Sequence, residues 1–427
     1  MRTATLVILL TAFPIAPRIL TAGGELSEQQ VVHEALAANP ALQASAAKWA
    51  AMKERVPQAR AWEDPMTGVK LMRSGTTSFS RYSDSEWMAS QALPLSGKNL
   101  SRGRVAEAEA RAAYEDVRRV RLDVVARARA VYHRLGNAYA QLALNRKNQG
   151  LLVQFVEESK AKYEVGAVSQ ADVLAAQTDA RKLEQERFRL EQDLFAQQSA
   201  LNVLMNRAAT APVGQPAAIA FKPLARKSTE LEPLILAHRP EIAAAERNVL
   251  AEQAKLQLAH REWIPDPQVQ VAARHFRESS DVFTEYDTAV YFSVPWANPR
   301  KYSAGVREAE QNVESARRTL ESAKTEALGL LRDQLSKISS LAQQYQLSRD
   351  KIVPLAAATV ETLQAGYRTD ISNYLEVITA ERTLRDAESA ASSELADYLA
   401  ALAELDALVG IDDEGGDAKS TPKKSKR

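Results

Sequence analysis

The sequence has 427 residues, of which 26% are charged and 6% are aromatic, and its formal net charge is +1. A balance this close to zero gives no overall field that would attract nucleic acid or an anionic membrane surface. The sequence contains no cysteine, which excludes disulfides, thiolate nucleophiles and cysteine-bound metals. Ala, Leu, Gln, Glu and Arg dominate the composition, which is typical of long helices.

Residues 1–22 are predicted to be a secretory signal peptide. Arg2 precedes a mostly apolar run from Ala4 to Ile15, and small residues follow near Ala22. Beyond this segment no run approaches the ~20 apolar residues that a membrane-spanning helix needs. If the mature chain lies in a membrane, it does so as β-strands.

Two long helical hairpins are predicted in the mature chain. In the first, a helix over about 98–163 is followed by a return helix over 169–205. Apolar residues recur at steps of three and four along the first helix, which places one apolar seam along it. The second hairpin has helices over about 303–366 and 372–408.

Each hairpin is preceded by a segment that is predicted to form two strands, over about 66–94 and about 267–295. In the second segment Val269 and Val271 alternate with Gln270, the period-two pattern of a strand with one apolar and one polar face. The strands are close to the ~9–11 residues that cross a bilayer when tilted. The alternative is a pair of soluble β-hairpins that cap a helical bundle.

The second half of the chain repeats the first. Pro40 and Pro240 are 200 residues apart, and Pro94 and Pro295 are 201 residues apart. Such constant spacing indicates an internal duplication and two halves related by pseudo-symmetry. The predicted division is a first repeat over 23–205, a linker over 206–229, a second repeat over 230–410 and a disordered tail over 411–427.

Four strands per chain cannot close a membrane structure alone. Open sheet edges in lipid leave backbone groups unpaired at several kcal/mol each, so an oligomer has to supply the closure. Two chains would give eight strands with an interior filled by side chains, whereas three chains would give twelve strands and room for a lumen. A conduit therefore favours three chains.

Several short motifs occur in order along the two halves. They are ALAANPAL (35–42), QALPLSGK (91–98), YEVGAVSQ (163–170), RPE (239–241), IPDP (264–267), FSVPWANPRK (292–301) and YRTDISNY (367–374). Together they resemble the TolC family of outer-membrane efflux proteins over essentially the whole mature chain. The RPE, PDP and LSGK elements are most similar to the CzcC-like, heavy-metal-efflux branch of that family.

The resemblance implies a mainly helical fold with membrane β-structure. Duplicated long helical hairpins would form an α-barrel tunnel in the periplasm, and four β-strands per chain would contribute to a trimeric, 12-stranded β-barrel in the outer membrane of a Gram-negative bacterium. The linker and the C-terminal residues would form a belt around the middle of the tunnel.

The resemblance also implies a function and partners. The protein would be the passive exit duct of a tripartite efflux system and would export heavy-metal cations; drug efflux or type I secretion by the same kind of channel is the alternative. Expected partners are two further copies of the chain, outer-membrane lipid, a periplasmic adaptor (a membrane fusion protein) and an inner-membrane pump of the resistance-nodulation-division (RND) type. Nucleic acid is not an expected partner.

By the same resemblance, adaptor contacts lie at two helix-to-helix turns at the tip of the tunnel. Gly166 supplies the backbone freedom that such a turn needs. Asp370 stands where the first half has Gly166, and Asp tolerates a left-handed conformation. The predicted contact residues are Tyr163, Val165, Gly166, Ala167 and Ser169 in the first turn, and Tyr367, Arg368, Thr369, Asp370 and Ser372 in the second.

Two acidic residues near the second turn are candidates for a gate. Asp370 and Glu376, tripled by symmetry, would form acidic rings that concentrate cations, because like charges in a narrow passage focus the field. The alternative is that Asp370 is a turn residue and Glu376 a solvated helix charge.

No catalytic residue, cofactor or metal site is predicted. The five histidines show no metal-ligand spacing, and no acid, base, nucleophile and phosphate-binding loop converge as they would in an enzyme. The competing class is a soluble periplasmic coiled-coil adaptor. An adaptor should carry one helical hairpin between compact β-domains, whereas this sequence predicts two hairpins and no such domains.

Overall fold

The computed structural model of the protein describes residues 25–72, 84–224, 226–278, 281–369 and 371–411. The predicted signal peptide over 1–22 lies outside these residues, as does the predicted tail except for Ile411. The division into two sequence repeats stays a prediction.

Within the described ranges the chain forms long helices and a small antiparallel sheet. The helices are α1 (Glu28–Ala38), α2 (Pro40–Arg60), α3 (Lys98–Glu164), α4 (Gln170–Leu204), α5 (Ser228–His238), α6 (Pro240–Arg261), α7 (Pro299–Leu347), α8 (Val353–Arg368) and α9 (Tyr374–Val409). The strands are β1 (Met66–Met72), β2 (Asp84–Ala92), β3 (Pro267–Glu278) and β4 (Asp281–Phe292). None of the helices in this part of the chain combines the length and the hydropathy needed to cross a membrane.

The same backbone geometry separates the first two helices of each half, but different side chains stabilise it. Asn39 and Arg239 each precede a proline that begins a helix, with φ −63° and ψ 121° at Asn39 and φ −63° and ψ 122° at Arg239. The Asn39 side chain accepts a hydrogen bond from the N–H of Ala41 (3.0 Å) and caps α2. Arg239 makes no such cap, and its Nε lies 3.2 Å from the carboxylate of Glu241.

The long helix predicted over 303–366 is interrupted in the structure. It begins at Pro299 as α7, passes through a π-helical turn over Ser348–Ile352 and continues as α8. A proline inside a helix has no N–H to donate, and its ring crowds the carbonyl four residues earlier. Pro354 closely follows the π-helical turn, and the crowded carbonyl belongs to Asp350 within that turn. The turn therefore accommodates the proline without ending the helix.

The four strands form one sheet in the order β1-β2-β3-β4, with every neighbouring pair antiparallel. The central pair, β2 with β3, joins the two halves of the chain. No strand in the described part of the chain pairs with the outer edge of β1 or of β4.

The register of the sheet separates apolar from charged side chains. Residues that pair directly across strands share a face, and successive residues alternate between faces. One row, which we call the apolar row, consists of Val69, Trp87, Ala273 and Tyr286. The next row lies on the opposite face and has charges of alternating sign; this charged row consists of Lys70, Glu86, Arg274 and Glu285.

A cluster of polar contacts joins the end of β2 to the start of β3. The carboxylate of Asp266 accepts hydrogen bonds from the N–H of Ser96 (2.8 Å), from its hydroxyl (2.8 Å) and from Nζ of Lys98 (3.0 Å). Lys98 also donates to the carbonyl of Ile264 (2.7 Å), and Arg261 donates to that of Ser96 (2.6 Å). Burial alone would raise the pKa of Asp266, but the hydrogen bonds from Ser96 and Lys98 hold it below its ordinary value.

The described residues fall into two compact units, each built from segments of both halves. The first unit comprises the chain up to Glu34 together with Val131–Ala220 and Ser348–Ala396. In this unit the predicted linker is fixed to the N-terminal segment, because Leu26 bridges to Pro216 and accepts a hydrogen bond from the hydroxyl of Tyr132 (2.9 Å).

The second unit comprises the remaining segments and contains the sheet. Its part of the linker begins at Phe221, whose ring stacks with those of Tyr345 and Tyr398 at centroid distances of 5.4 and 4.8 Å. The hydroxyl of Tyr398 donates to the carbonyl of Lys222 (2.7 Å). This part of the linker is therefore held by aromatic packing.

Replacement of Asp266 by alanine should destabilise the protein by about 2 kcal/mol, because hydrogen bonds to charged groups contribute about 1.5–3 kcal/mol and Ser96 and Lys98 would lose their acceptor. Thermal denaturation followed by circular dichroism at pH 7 measures the loss. Since the folded-state pKa is lowered, the contribution is present above the ordinary value of 3.8 and is lost as the pH falls through the folded-state value.

Asp64 provides the matched control. It occupies the corresponding EDP motif of the first half and is exposed, so Asp64→Ala should leave the melting temperature nearly unchanged. Equal losses in the two variants would contradict the assignment.

Candidate functional site at the two hairpin turns

The predicted contact residues lie where the chain reverses direction twice. We call residues 165–169, between α3 and α4, the first turn, and residues 369–373, between α8 and α9, the second turn. Both belong to the first unit. Asp370 lies outside the described residues.

The first turn closes α3 through a left-handed glycine. Gly166 has φ +76°, a conformation that side chains rarely adopt. Its N–H donates to the carbonyl of Tyr163 (3.0 Å), and the N–H of Ala167 donates to that of Lys162 (2.9 Å). This pair of bonds is the Schellman motif, which satisfies carbonyls that the end of a helix leaves free.

A reciprocal cap then starts α4. The hydroxyl of Ser169 accepts a hydrogen bond from the N–H of Asp172 (3.2 Å), and the carboxylate of Asp172 accepts one from the N–H of Ser169 (3.1 Å). This capping box satisfies two N–H groups of the first helical turn. Ser169, a predicted contact residue, therefore has a structural role.

The second turn uses a different glycine. The carbonyl of Gly366 accepts hydrogen bonds from the N–H groups of Thr369 (3.2 Å), Ile371 (2.8 Å) and Ser372 (3.2 Å). A Cβ on Gly366 would lie 2.3 Å from Oγ of Ser372, so a larger residue here would require the serine side chain to move. Alignment of the two halves of the sequence places Asp370 opposite Gly166. It does not reveal that the carbonyl of Gly366 accepts the hydrogen bonds of the second turn.

Glu376, a predicted gate residue, takes part in the cap of α9. Its carboxylate accepts a hydrogen bond from the N–H of Asn373 (3.1 Å), and the side chain of Asn373 accepts one from the N–H of Glu376 (3.0 Å). The spacing of an Asn and a Glu three residues apart is the signature of a capping box. The spacing can be read directly from the sequence, so the sequence alone could have predicted this cap.

Aromatic packing joins the ends of the two hairpins. The ring of Phe155 lies 5.1 Å from that of Tyr367 and 5.5 Å from that of Tyr374, measured between centroids. Nζ of Lys162 donates to the carbonyl of Tyr367 (2.5 Å) and lies 4.1 Å from the centroid of its ring. Burial raises the pKa of Tyr374, and the charge of Asp179 acts in the same direction.

The two turns are not equivalent, although their sequences correspond. Tyr163 is 46% exposed whereas Tyr367 is 3% exposed, so only the second tyrosine belongs to the core. Each turn presents one strongly exposed apolar side chain, Val165 (80%) and Ile371 (84%). Their polar groups cap helices, and their exposed apolar groups are free for contact with another molecule. In the described residues no group of His, Cys, Asp and Glu is arranged to hold a metal ion.

Gly166→Ala should destabilise the first turn by about 1–2 kcal/mol, because a left-handed conformation costs about that much once a Cβ is present. Gly150→Ala is the matched control. Both glycines have nothing within 4 Å of an added Cβ, but Gly150 lies inside α3 without a positive φ. Gly150→Ala should stabilise the helix by about 0.5–1 kcal/mol. Thermal denaturation shows whether each variant is less or more stable than the native protein. A loss of stability of the same size in both variants would refute the prediction.

Comparison with known proteins extends these observations. A sequence model of the family described as outer membrane efflux protein matches residues 31–207 and 231–411, most of the chain. The chain is similar to the toluene efflux pump outer membrane protein TtgF of Pseudomonas putida, with 27% identity over 326 residues, which are 74% of this chain and 66% of that protein. The chain thus matches slightly less than two thirds of the length of this curated relative.

Solved structures share the fold. A crystal structure of CusC matches with a TM-score of 0.78 and 18% identity, covering 90% of this chain and 92% of that one. The outer membrane protein VceC of Vibrio cholerae matches with a TM-score of 0.74 and 18% identity, covering 90% of this chain and 96% of that one. At this identity the likeness concerns the fold, and it confirms the predicted combination of long helical hairpins with four strands.

This family match agrees with the resemblance that the sequence motifs indicate. The family places the protein in the outer membrane of a Gram-negative bacterium and outside the enzymes, as the sequence predicts. The CzcC-like branch is a finer prediction than these comparisons support. The chain belongs to the outer membrane efflux protein family.

Proposed function

We propose that the protein is the passive exit duct of a tripartite efflux system and is inserted in the outer membrane as a homotrimer. The observation that carries the proposal is the four-stranded sheet. Its two faces separate the apolar row from the charged row, and the outer edges of β1 and β4 have no partner within the described residues.

The unpaired outer edges of the sheet are the reason for proposing several copies of the chain. An unpaired backbone group in hydrocarbon costs several kcal/mol, so β4 of one copy has to pair with β1 of the next. Three copies give twelve strands and a barrel with a lumen, whereas two give eight strands around a filled interior. The long helices would continue this passage as a tunnel in the periplasm.

The two faces of the sheet support the orientation of such a barrel. In a single chain Trp87 is 63% exposed and Tyr286 is 82% exposed, and both lie in the apolar row. These side chains would face lipid, and aromatic rings are typical of the lipid-facing surface near its interfaces. The charged row would then face the lumen, where water solvates it.

The two turns would contact a periplasmic adaptor, which links the duct to an RND pump in the inner membrane. The exposed side chains of Val165 and Ile371 support this assignment, because apolar groups at the end of a helical hairpin gain from burial against a partner. The capped helix ends give the turns a fixed shape for such a contact. The linker would form the belt around the tunnel.

The substrate is inferred from two different sources. The RPE, PDP and LSGK motifs favour heavy-metal cations. The relative TtgF, whose name gives toluene, favours an apolar organic compound as the second candidate. A passive duct does not itself select the substrate, so the proposed architecture is the same for both candidate substrates.

Deletion of the gene should increase sensitivity to heavy-metal salts several-fold, since export would lose its outer-membrane step. Increased sensitivity to toluene alone would select the second candidate. The native gene should restore growth, whereas Val165→Asp with Ile371→Asp should not, because two charges would oppose adaptor docking. Growth assays and planar-bilayer conductance measure these outcomes.

The control for this experiment is Val165→Leu with Ile371→Leu, which keeps both side chains apolar and should restore growth. Both double variants should still form conducting trimers. Recovery of the native protein as a non-conducting monomer would overturn the duct, and restored growth by the aspartate variant would overturn the adaptor contact.

Glu376 and Asp370 are proposed to form acidic rings near the closed end of the tunnel. Glu376 is exposed beside the second turn, which supports a position open to ions. Its cap with Asn373 supplies a competing explanation for the residue. Two substitutions separate the roles, because glutamine removes the charge but keeps an acceptor for the N–H of Asn373, while alanine removes both.

If the ring forms, Glu376→Gln and Glu376→Ala should weaken block of the single-channel current by divalent cations equally. Only the alanine variant should lose stability, by about 0.5–2 kcal/mol for the missing cap. Block that persists unchanged in a trimer carrying Asp370→Ala and Glu376→Ala would rule out the rings.

A further inference from the structure

A polar cavity lies among the four helices of the first unit. Its volume is about 400 Å³, and segments of α3, α4, α8 and α9 line it. Twelve of its twenty lining residues are polar or charged. Such a volume exceeds the ~30 Å³ that one water occupies in the liquid, so the cavity has room for several waters.

Two asparagines of α3 leave hydrogen-bonding groups unused at this cavity. Nδ2 of Asn145 donates to the carbonyl of Leu183 (3.2 Å), but its Oδ1 is buried without a partner. Nδ2 of Asn148 is also buried without a partner. Asn145 is 4% exposed, so its free acceptor cannot reach bulk solvent. The cavity wall therefore contains both a donor and an acceptor that water would satisfy.

Two of the three cations that line the cavity are bound to one carboxylate. Asp179 of α4 is 7% exposed and forms ion pairs with Arg382 (2.5 Å) and Lys182 (3.4 Å). The carboxylate of Glu381, next to Arg382 on α9, has no lysine or arginine within ion-pair distance in the part of the chain described here. Oε1 of Glu381 accepts one hydrogen bond, from Nε2 of Gln364 on α8 (2.9 Å).

The other charged groups that line the cavity also have partners of their own. Glu186 pairs with Arg189, and Arg385 pairs with Asp386. The α3 and α8 walls contribute only amides and apolar side chains to the lining. The charged lining groups besides Glu381 are Asp179, Lys182 and Glu186 of α4, and Arg382, Arg385 and Asp386 of α9.

We propose that Glu381, which lines the cavity between α3, α4, α8 and α9, is a proton-controlled group that sets how closely the α8–α9 hairpin contacts the α3–α4 hairpin. With the carboxyl protonated, the four helices pack closely around the cavity. With the carboxylate formed, additional water enters the cavity and the packing of α9 against α4 loosens. A partly buried carboxylate that has one amide but no cation within ion-pair distance is costly, and water molecules that donate hydrogen bonds to it reduce that cost.

Burial raises the pKa of Glu381 above its ordinary value of 4.5, and the hydrogen bond from Gln364 opposes this only in part. The folded protein therefore binds this proton more tightly than the unfolded chain does. The stabilising contribution is fully present below the ordinary pKa and is lost as the pH rises through the folded-state value. The contact is thus close at a pH below the ordinary value of 4.5 and loosens as the pH rises through the folded-state pKa.

A consequence for transport rests on the proposed function. The cavity and both turns belong to the first unit, and the cavity is lined by the helices that lead into those turns. Looser packing of α9 would ease the separation of the hairpins that a wider tip requires. In a conducting trimer the open probability should then rise with pH.

Hydrogen exchange followed by mass spectrometry on the full-length protein in detergent tests the contact at pH 4 and pH 8, after correction for intrinsic exchange rates. The native protein should lose protection several-fold at pH 8 in peptides covering residues 141–152, 179–190 and 374–389. Glu381→Gln, which resembles the protonated carboxyl, should retain protection at both pH values.

Glu361→Gln serves as the control, because Glu361 is an exposed glutamate on α8 and its variant should behave as the native protein does. Protection in the native protein that does not change with pH, or that changes equally in Glu381→Gln, would overturn the contact. A pH-dependent loss abolished only by Glu381→Gln supports it even if the trimer fails to conduct, an outcome that would count against the proposed duct alone.

Discussion

A sheet that meets hydrocarbon has to satisfy its backbone hydrogen bonds within the protein, and four strands cannot do so at their two edges. The pairing of β2 with β3 solves the problem inside the chain by joining strands from both halves. The outer edges of β1 and β4 have no partner within the described residues, and in the proposed trimer further copies would pair with them. In the proposed trimer, closure of the strands also brings together the helices that begin where the strands end. Closure of the strands between copies would then form both the passage through the membrane and the tunnel below it.

Corresponding positions in the two halves of the chain share backbone features but differ in the structural roles of their side chains. The second half holds its strand junction with Asp266, whereas the corresponding Asp64 is exposed. The first turn depends on the positive φ of Gly166, whereas in the second turn the carbonyl of Gly366 accepts hydrogen bonds from three N–H groups. A repeated sequence therefore predicts where helices break, but it does not predict that corresponding positions have the same structural role.

The features that the sequence predicts are those that depend on local pattern. Apolar spacing indicates the long helices, Asn39 and Arg239 before prolines mark the helix breaks, and alternation indicates the strands. Other features depend on contacts that a pattern does not contain. The π-helical turn before Pro354 reflects a local steric conflict, and the environment of Glu381 is created by helices that are distant in sequence. A role of the two turns in binding a partner likewise depends on contacts that the sequence pattern of one chain does not contain.

The apolar row and the charged row are one residue apart on every strand, and this proximity has a consequence for the fidelity of assembly. A slip of one residue between neighbouring strands exchanges the faces of all their side chains. In a membrane it would move a charge from the row containing Lys70 and Arg274 into lipid, at about 2–4 kcal/mol for each cation near the midplane. It would also move Trp87 or Tyr286 into water. The alternation of the two rows thus favours one strand register. In a bilayer this register would be clearly more stable than one shifted by a single residue.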